Sequence, residues 1–151
     1  MKAVVQRVSR AAVRVEGRTV GQIERGFLVL LGAEAGDRPE TADEVARKIA
    51  GLRVFEDAAG KMNLALGDVG GAVLAVSQFT LAADLSRGRR PGFERALRGQ
   101  EAEPLYERFV AALRAEDLVV ATGVFGAAME VELINDGPAT FLVEIAGKAD
   151  S

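Results

Sequence analysis

The segment VSQFTL carries polar side chains that could take part in catalysis. Ser77, Gln78 and Thr80 come at the end of an apolar run with the character of a buried strand. At such a strand end, hydroxyls can cap the following turn, which is a structural role. Polar groups and freed backbone N–H donors can also face a pocket and stabilise a carbonyl oxygen as it becomes negatively charged. The segment therefore predicts either a capped strand end or an oxyanion site.

A second segment, NDGPAT, places Gly137 and Pro138 between two runs of strand character, MEVELI and FLVEIA. Proline removes a backbone donor and fixes φ, so the pair would break a central strand and is typical of a turn between edge strands. A bond to proline can also be cis, which redirects a carbonyl and holds it rigidly. A rigid carbonyl can recognise an amino group. Both interpretations remain open from the residues alone.

The sequence contains no His and no Cys. These absences exclude Ser-His-Asp and Cys-His triads, thiol nucleophiles and thiolate metal sites. Without His, neither Ser77 nor Thr80 has an evident base to activate it as a nucleophile. Of the two functional interpretations of VSQFTL, we therefore favour the one that uses backbone donors.

Length and composition indicate an ordinary globular protein. The 151 residues, 49% of them hydrophobic, predict one domain spanning 1–151. The apolar runs are shorter than the roughly 20 residues of a membrane helix, so we expect a cytoplasmic protein that does not bind a membrane. The segment SRGRRPGFERALR, from Ser86 to Arg98, is locally basic in a chain of net charge −3. It suits either a limited phosphate contact or a solvated surface.

The hydrophobic pattern predicts an α+β fold. Alternating apolar residues in KAVVQRV, AAVRVEG, MEVELI and FLVEIA are typical of half-buried strands, and FLVLL is typical of a strand covered on both faces. Helices are expected over Asp37–Leu52 and Glu103–Ala115. We count six to eight strands and two or three helices without a steady βαβ repeat. We therefore expect mostly antiparallel sheets.

Together, SQFTLAAD and NDGPAT resemble the two signature motifs of the D-aminoacyl-tRNA deacylases, the D-tyrosyl-tRNA deacylase family. The resemblance extends over nearly the whole chain, with MKAVVQRVSRAAVRVEG, FLVLLG, RVFEDAAGKMNL, RGRRPGF and TGVFGAAMEVELINDGP in the expected order. The family pattern usually has Val at the position of Ala139, which is a small apolar exchange.

The resemblance implies a homodimer with the deacylase-family fold that hydrolyses the ester between a D-amino acid and the terminal adenosine of tRNA. In this family the Gly137-Pro138 peptide is cis and enters the pocket of the partner. Its carbonyls hold the substrate α-amino group, so an L side chain collides with the peptide while a D side chain points into solvent. The resemblance thus implies a proofreading enzyme that accepts many D-amino acids. Achiral glycine has no side chain to collide with the peptide, so the same filter can let it pass.

The same resemblance assigns roles to the residues of the first motif. Backbone N–H groups of Phe79 and Thr80 would serve the developing oxyanion, while Ser77 and Gln78 shape the adenosine side. An aminoacyl ester is already activated and its ribose 2′-OH can assist attack by water, so the protein mainly positions and stabilises. Thr80 as a nucleophile is the less favoured alternative.

Further positions match family residues near the pocket. We assign substrate binding to Arg7, Phe125, Met129, Asn135 and Thr140, and we expect no cofactor and no metal. The expected partners are the acceptor end of D-aminoacyl-tRNA and a second copy of the chain, without DNA. Two alternatives remain: a noncatalytic dimeric module that binds adenosine or the tRNA end, and a general esterase with a side-chain nucleophile.

Overall fold

The computed structural model describes residues 1–148 and shows a single α+β unit built on strands. Its strands are β1 (Lys2–Val15), β2 (Arg18–Ile23), β3 (Gly26–Gly32), β4 (Phe55–Glu56), β5 (Met62–Leu64), β6 (Ala72–Ser77), β7 (Val119–Thr122) and β8 (Glu130–Glu144). Its helices are α1 (Pro39–Ala50), α2 (Gly99–Ala115) and two short 3-10 helices, Leu66–Val69 and Phe79–Ala82.

The main sheet has six strands in the order β2-β1-β3-β6-β7, with β8 paired to β1. Pairing of β1 with β2, β3 and β8 is antiparallel, whereas β3–β6 and β6–β7 are parallel. The small β4–β5 hairpin forms a separate antiparallel pair. The predicted α+β class is confirmed, and the sheet is mixed because β6 and β7 join it in parallel.

The sheet curls into a nearly closed barrel whose strands bury residues on both faces. Alternate residues of β6 show this division, since Val73 and Ala75 pack toward the helices while Leu74 and Val76 belong to a second, inner cluster. Successive side chains of a strand point to opposite faces, so a strand covered on both sides must be apolar throughout. The two helices cover the outer cluster with Val45, Ile49, Phe109 and Leu113 among other residues.

The barrel approaches closure where β2 passes β7. At Gly21, a Cβ would lie 2.3 Å from the carbonyl oxygen of Thr122, which leaves no room for any side chain. Glycine at this position therefore lets the backbones of β2 and β7 come close. We call this close passage of Gly21 and Thr122 the seam of the barrel. Gly21 belongs to the antiparallel hairpin that β2 forms with β1.

Two predicted boundaries between strands are wrong. The segments KAVVQRV and AAVRVEG form one strand, β1, which pairs with β3 through its first half and with β2 through its second. β8 likewise continues through NDGPAT, although its pairing with β1 is irregular between the Gln6–Thr140 and Val8–Asn135 pairs. A long β1 can pair with several partners in succession, so its own sequence needs no turn between the two halves.

The two helices agree with the predicted segments. The helix expected over Asp37–Leu52 runs from Pro39 to Ala50, and the second begins at Gly99, before the expected Glu103. Pro104 lies inside α2, five residues after Gly99, where proline removes one backbone hydrogen bond of the helix. Within residues 1–148, neither helix has the length and apolar character required to cross a membrane.

Candidate active site

A cavity of about 370 Å³ lies at the carboxyl end of β6. It is bounded by the following 3-10 helix, the start of α2 and the segment that enters β8. Its lining comprises Leu31, Ala33, Val76, Ser77, Gln78, Phe79, Leu97, Arg98, Gly99, Ala102, Tyr106, Phe125, Gly126, Ala127, Met129 and Val131. This mostly apolar lining with a few polar groups at one end is typical of a site for a small organic ligand.

The polar end of the cavity is the first sequence motif. Ser77 ends β6 and Gln78 follows it, with its backbone N–H donating to the Leu31 carbonyl at 2.7 Å. The 3-10 helix Phe79–Ala82 begins directly afterwards. The first N–H groups of a helix have no acceptor inside the helix, so those of Phe79 and Thr80 can serve as donors to a ligand.

The Thr80 hydroxyl has an amide as its neighbour. Gln78 Nε2 donates to Thr80 Oγ1 at 2.6 Å, and both side chains are at least partly open to solvent. An amide donor cannot remove the hydroxyl proton, because it has no basic lone pair at that nitrogen. This geometry orients Thr80 and does not activate it.

Aromatic and sulfur-containing side chains form the walls. Tyr106 and Phe125 have ring centroids 5.9 Å apart, and Met129 lines the same cavity. The Tyr106 hydroxyl donates to the Ala75 carbonyl at 2.7 Å, and burial raises the pKa of Tyr106 to about 12. Tyr106 therefore remains a neutral wall residue near neutral pH. Flat apolar surfaces of this kind suit stacking with a nucleobase.

The second motif forms an exposed excursion of β8 that is tied down at its base. Asn135 Oδ1 accepts the backbone N–H of Ala139 at 2.7 Å, and Asn135 Nδ2 donates to Thr140 Oγ1 at 2.9 Å. Between them, the Gly137-Pro138 peptide is cis and both residues are exposed. The asparagine side chain thus replaces ladder hydrogen bonds where β8 leaves β1.

The Arg7 side chain supports this excursion through hydrogen bonds. This side chain is buried, and its Nε donates to the Asp136 carbonyl at 3.0 Å while Nη1 donates to the Val54 carbonyl at 2.6 Å. A guanidinium can satisfy two carbonyls in fixed directions, which links the β8 excursion to the segment before β4. In the single chain, Arg7 contacts protein groups that hold Gly137 in place.

The predicted site residues therefore fall into two groups. Ser77, Gln78, Phe79, Phe125 and Met129 line the cavity, with Thr80 next to them through its bond to Gln78. Arg7, Asn135, Gly137, Pro138 and Thr140 form the β8 group, and none of these residues lines the cavity of their own chain.

Sequence reasoning missed the contribution of α2 to the cavity. Arg98, Ala102 and Tyr106 recur every four residues and so share one face of the helix start. That spacing was available in the sequence, but it reads equally well as an ordinary helix face. Within residues 1–148, no group of three or more Asp or Glu side chains is arranged to hold a metal ion.

Comparisons with known proteins indicate one family, and the matches cover almost the full chain. The family model described as D-Tyr-tRNA(Tyr) deacylase matches residues 4–144. A D-aminoacyl-tRNA deacylase of Symbiobacterium thermophilum is 61% identical over 144 residues, covering 95% of each chain. One of Geobacter sulfurreducens is 54% identical over 151 residues, covering 100% of this chain and 99% of the relative.

Two solved structures share the fold. The c-Myc DNA Unwinding Element Binding Protein superposes with a TM-score of 0.90 and 42% identity, covering 96% of this chain and 99% of its own. A structure described as a probable eukaryotic D-amino acid tRNA deacylase has a TM-score of 0.80 at 17% identity, covering 95% and 98% respectively. The second likeness concerns the fold alone.

Proposed function

Because this chain belongs to the D-Tyr-tRNA(Tyr) deacylase family, we propose that it hydrolyses the ester between a D-amino acid and the terminal adenosine of tRNA. The observation that carries this proposal is the identity with D-aminoacyl-tRNA deacylases over nearly the whole of both chains. The chain is an enzyme, an ester hydrolase of the D-aminoacyl-tRNA deacylase class. Its role is proofreading of mischarged tRNA, and the cytoplasm stays its predicted location.

The cavity at the end of β6 is the proposed binding site of the terminal adenosine. Phe125 and Met129 supply flat or deformable apolar surface for the base, while Ser77 and Gln78 face the ribose. The ester carbonyl then lies at the start of the 3-10 helix Phe79–Ala82, where the N–H groups of Phe79 and Thr80 stabilise the negative oxygen of the tetrahedral intermediate.

The proposed chemistry needs no side-chain base. Water adds to the ester carbonyl, the bond from that carbon to the ribose oxygen breaks, and the ribose oxygen takes the proton that water gives up. The neighbouring 2′-OH assists this transfer, which leaves the protein to hold the ester and its oxyanion in place. Free D-amino acid and free tRNA are the products. The partners of Thr80 support a positioning role, since Gln78 is not a base.

The Gly137-Pro138 segment is the proposed chiral filter. Its carbonyls accept hydrogen bonds from the substrate α-ammonium group, and the main chain then occupies the space that an L side chain would need. A D side chain points away, so its identity matters little, and glycine passes because it has no side chain. The bracing by Arg7 and Asn135 supports this role, because a filter must keep its position to discriminate.

A second copy of the chain is the proposed source of that segment. Gly137 and Pro138 do not line the cavity of their own chain. Pairing of β8 within residues 1–148 is with β1 alone, and exposed Ile134 and Leu142 lie along this edge strand. A long apolar edge invites pairing with another chain. Two copies related by a two-fold axis would each lend the segment to the other's cavity.

Three functions are separated by one assay. Purified protein is incubated with D-tyrosyl-tRNA and L-tyrosyl-tRNA, each with and without excess chelator. We expect fast release from the D form only, at the same rate with chelator. Equal release from both forms would indicate an unselective esterase.

Release from neither form would favour a module that binds the tRNA end without turnover. The name of the c-Myc DNA Unwinding Element Binding Protein states that it binds DNA, so a duplex DNA competitor belongs in the same assay. Our expectation is that DNA does not inhibit, and strong inhibition by DNA would contradict the predicted absence of that partner.

A further inference from the structure

The cavity has one charged group on its wall. Among the described residues that line it, Arg98 is the only one whose side chain carries a charge. Arg98 is exposed, so its guanidinium lies where the cavity opens to solvent. Within residues 1–148, no ion pair or side-chain hydrogen bond of Arg98 is found, and its N–H groups are free to meet an anion. An unpaired cation at the rim of an apolar cavity predicts that the ligand carries a negative charge there.

Two aromatic rings hold this guanidinium in place. Its central carbon lies 4.9 Å from the ring centroid of Phe79 and 5.2 Å from that of Phe93. The two rings contact each other edge to face, with centroids 5.3 Å apart. A cation–π contact uses the charge of the guanidinium and leaves its N–H groups available as donors. The cation is thus oriented before any ligand binds.

The other arginines of the basic segment lie elsewhere. Arg87, Arg90 and Arg95 line a separate cavity that also contains Glu34, Asp84 and Glu94. Arg95 Nε is 3.9 Å from a Glu34 carboxylate oxygen, so part of the positive charge is already balanced. Of the arginines in this segment, Arg98 alone lines the cavity at the end of β6.

We propose, resting on the function above, that Arg98 binds the phosphodiester on the 5′ side of the terminal nucleoside of the substrate. With base, ribose and ester inside the cavity, this phosphodiester is the nearest anion of an aminoacyl-RNA end. The α-ammonium group is cationic and is repelled from the same rim. Arg98 therefore fixes which way round the nucleoside enters: the phosphate lies at Phe93 and the amino group points toward the chiral filter.

The test compares two ligands that differ by one negative charge. Both are amide analogues of the D-tyrosyl ester of adenosine, one with a free 5′-OH and the other with a 5′-methyl phosphate diester. A 5′-(O-methyl methylphosphonate) diester, which is neutral, controls for bulk. Because an amide resists hydrolysis, calorimetry measures Kd without turnover. For the unsubstituted chain we expect about tenfold tighter binding of the phosphodiester, as for one charge-assisted contact at an exposed site.

The matched variants are Arg98→Gln, Arg98→Lys and Arg18→Gln. Arg98→Gln should bring the affinity ratio of phosphodiester to free 5′-OH ligand to about one. Arg98→Lys should restore part of this ratio, because Lys keeps the charge without the planar guanidinium. Arg18 is exposed on β2 and lines none of the cavities described, so Arg18→Gln should keep the full ratio. Thermal melts establish that each variant is folded.

Each outcome bears on the proposal. A collapsed ratio in Arg98→Gln alone supports it. Equal affinity of the unsubstituted chain for both ligands, or a ratio that survives Arg98→Gln, overturns it, as does failure of the chain to bind either ligand. If the ratio depends on Arg98 while D-tyrosyl-tRNA is not hydrolysed, the phosphate contact stands and the proposed function falls.

Discussion

At the scale of single residues, the Thr80 hydroxyl separates a positioning mechanism from nucleophilic catalysis. Its described partner is the Gln78 amide, which orients the hydroxyl and cannot deprotonate it. Thr80→Ala removes the hydroxyl and leaves the backbone N–H, so we expect kcat/KM for D-tyrosyl-tRNA to fall by less than about tenfold. Single-turnover deacylation together with binding of the amide analogue measures this.

A much larger loss would reverse that interpretation. Removal of a true nucleophile costs more than about 10⁴-fold with binding intact. The control is Thr80→Ser, which keeps a hydroxyl and should behave like the unsubstituted chain under either mechanism. A rate that collapses in Thr80→Ala and returns in Thr80→Ser would make Thr80 the nucleophile.

The sequence predicted these residue roles unevenly. Ser77 and Gln78 could be placed at a strand end from the abrupt change of polarity, and the structure confirms that Ser77 ends β6. Arg98 could not be separated from its basic neighbours, because only the packing of Phe79 and Phe93 decides which arginine faces the cavity. The residue types could be interpreted from the sequence, whereas the direction in which the Arg98 side chain points depends on the fold.

At the scale of elements, the close passage of β2 and β7 shapes the barrel. Gly21→Ala would put a Cβ 2.3 Å from the Thr122 carbonyl oxygen, so one of the two strands must move. We expect this overpacking to lower the free energy of unfolding by about 1–3 kcal/mol. Urea unfolding monitored by circular dichroism measures the difference.

Gly67→Ala is the matched control for the seam. A Cβ at Gly67 would meet nothing within 4 Å, and its φ lies outside the left-handed region. Its free energy of unfolding should change by no more than about 0.5 kcal/mol. Equal effects of the two substitutions would mean that the seam opens freely and that Gly21 is not required for closure.

Local patterns predicted the elements better than their partners. Alternation located β1 and β8, and acidic and basic residues at the ends of α1 located that helix within a few residues. The parallel pairing of β3 with β6 was not predicted, because it depends on a crossover that contains α1 and the β4–β5 hairpin. Such a pairing is decided by long-range packing. The continuous apolar runs of β3 and β6 indicate burial on both faces but do not identify the partner strand.

At the scale of the whole molecule, the two groups of site residues raise the question of which chain supplies each group. The β8 excursion is exposed and lies outside the cavity lining of its own chain. Sequence resemblance anticipated a shared site, but a single sequence cannot tell whether two motifs meet within one chain or across two. Oligomeric state and site composition must therefore be tested together.

Two variants that each damage one group provide that test. In Gly137→Ala, φ is +138° and the new Cβ would lie 2.9 Å from the Ala139 nitrogen and 3.0 Å from Arg7 Nη2, so the filter must shift. In Ala127→Trp, an indole replaces a half-buried lining residue and fills the cavity. We expect each variant alone to be dimeric by light scattering and nearly inactive on D-tyrosyl-tRNA.

Co-expression of the two variants should restore activity if the site is shared. A mixed dimer pairs the intact cavity of the Gly137→Ala chain with the intact filter of the Ala127→Trp chain, and its other site carries both defects. Random pairing makes half of the dimers mixed, each with one working site, so about a quarter of the unsubstituted activity should return. If each chain instead used its own filter, no combination of these chains would contain an undamaged site, and mixed dimers purified through two different tags would be as inactive as their parents.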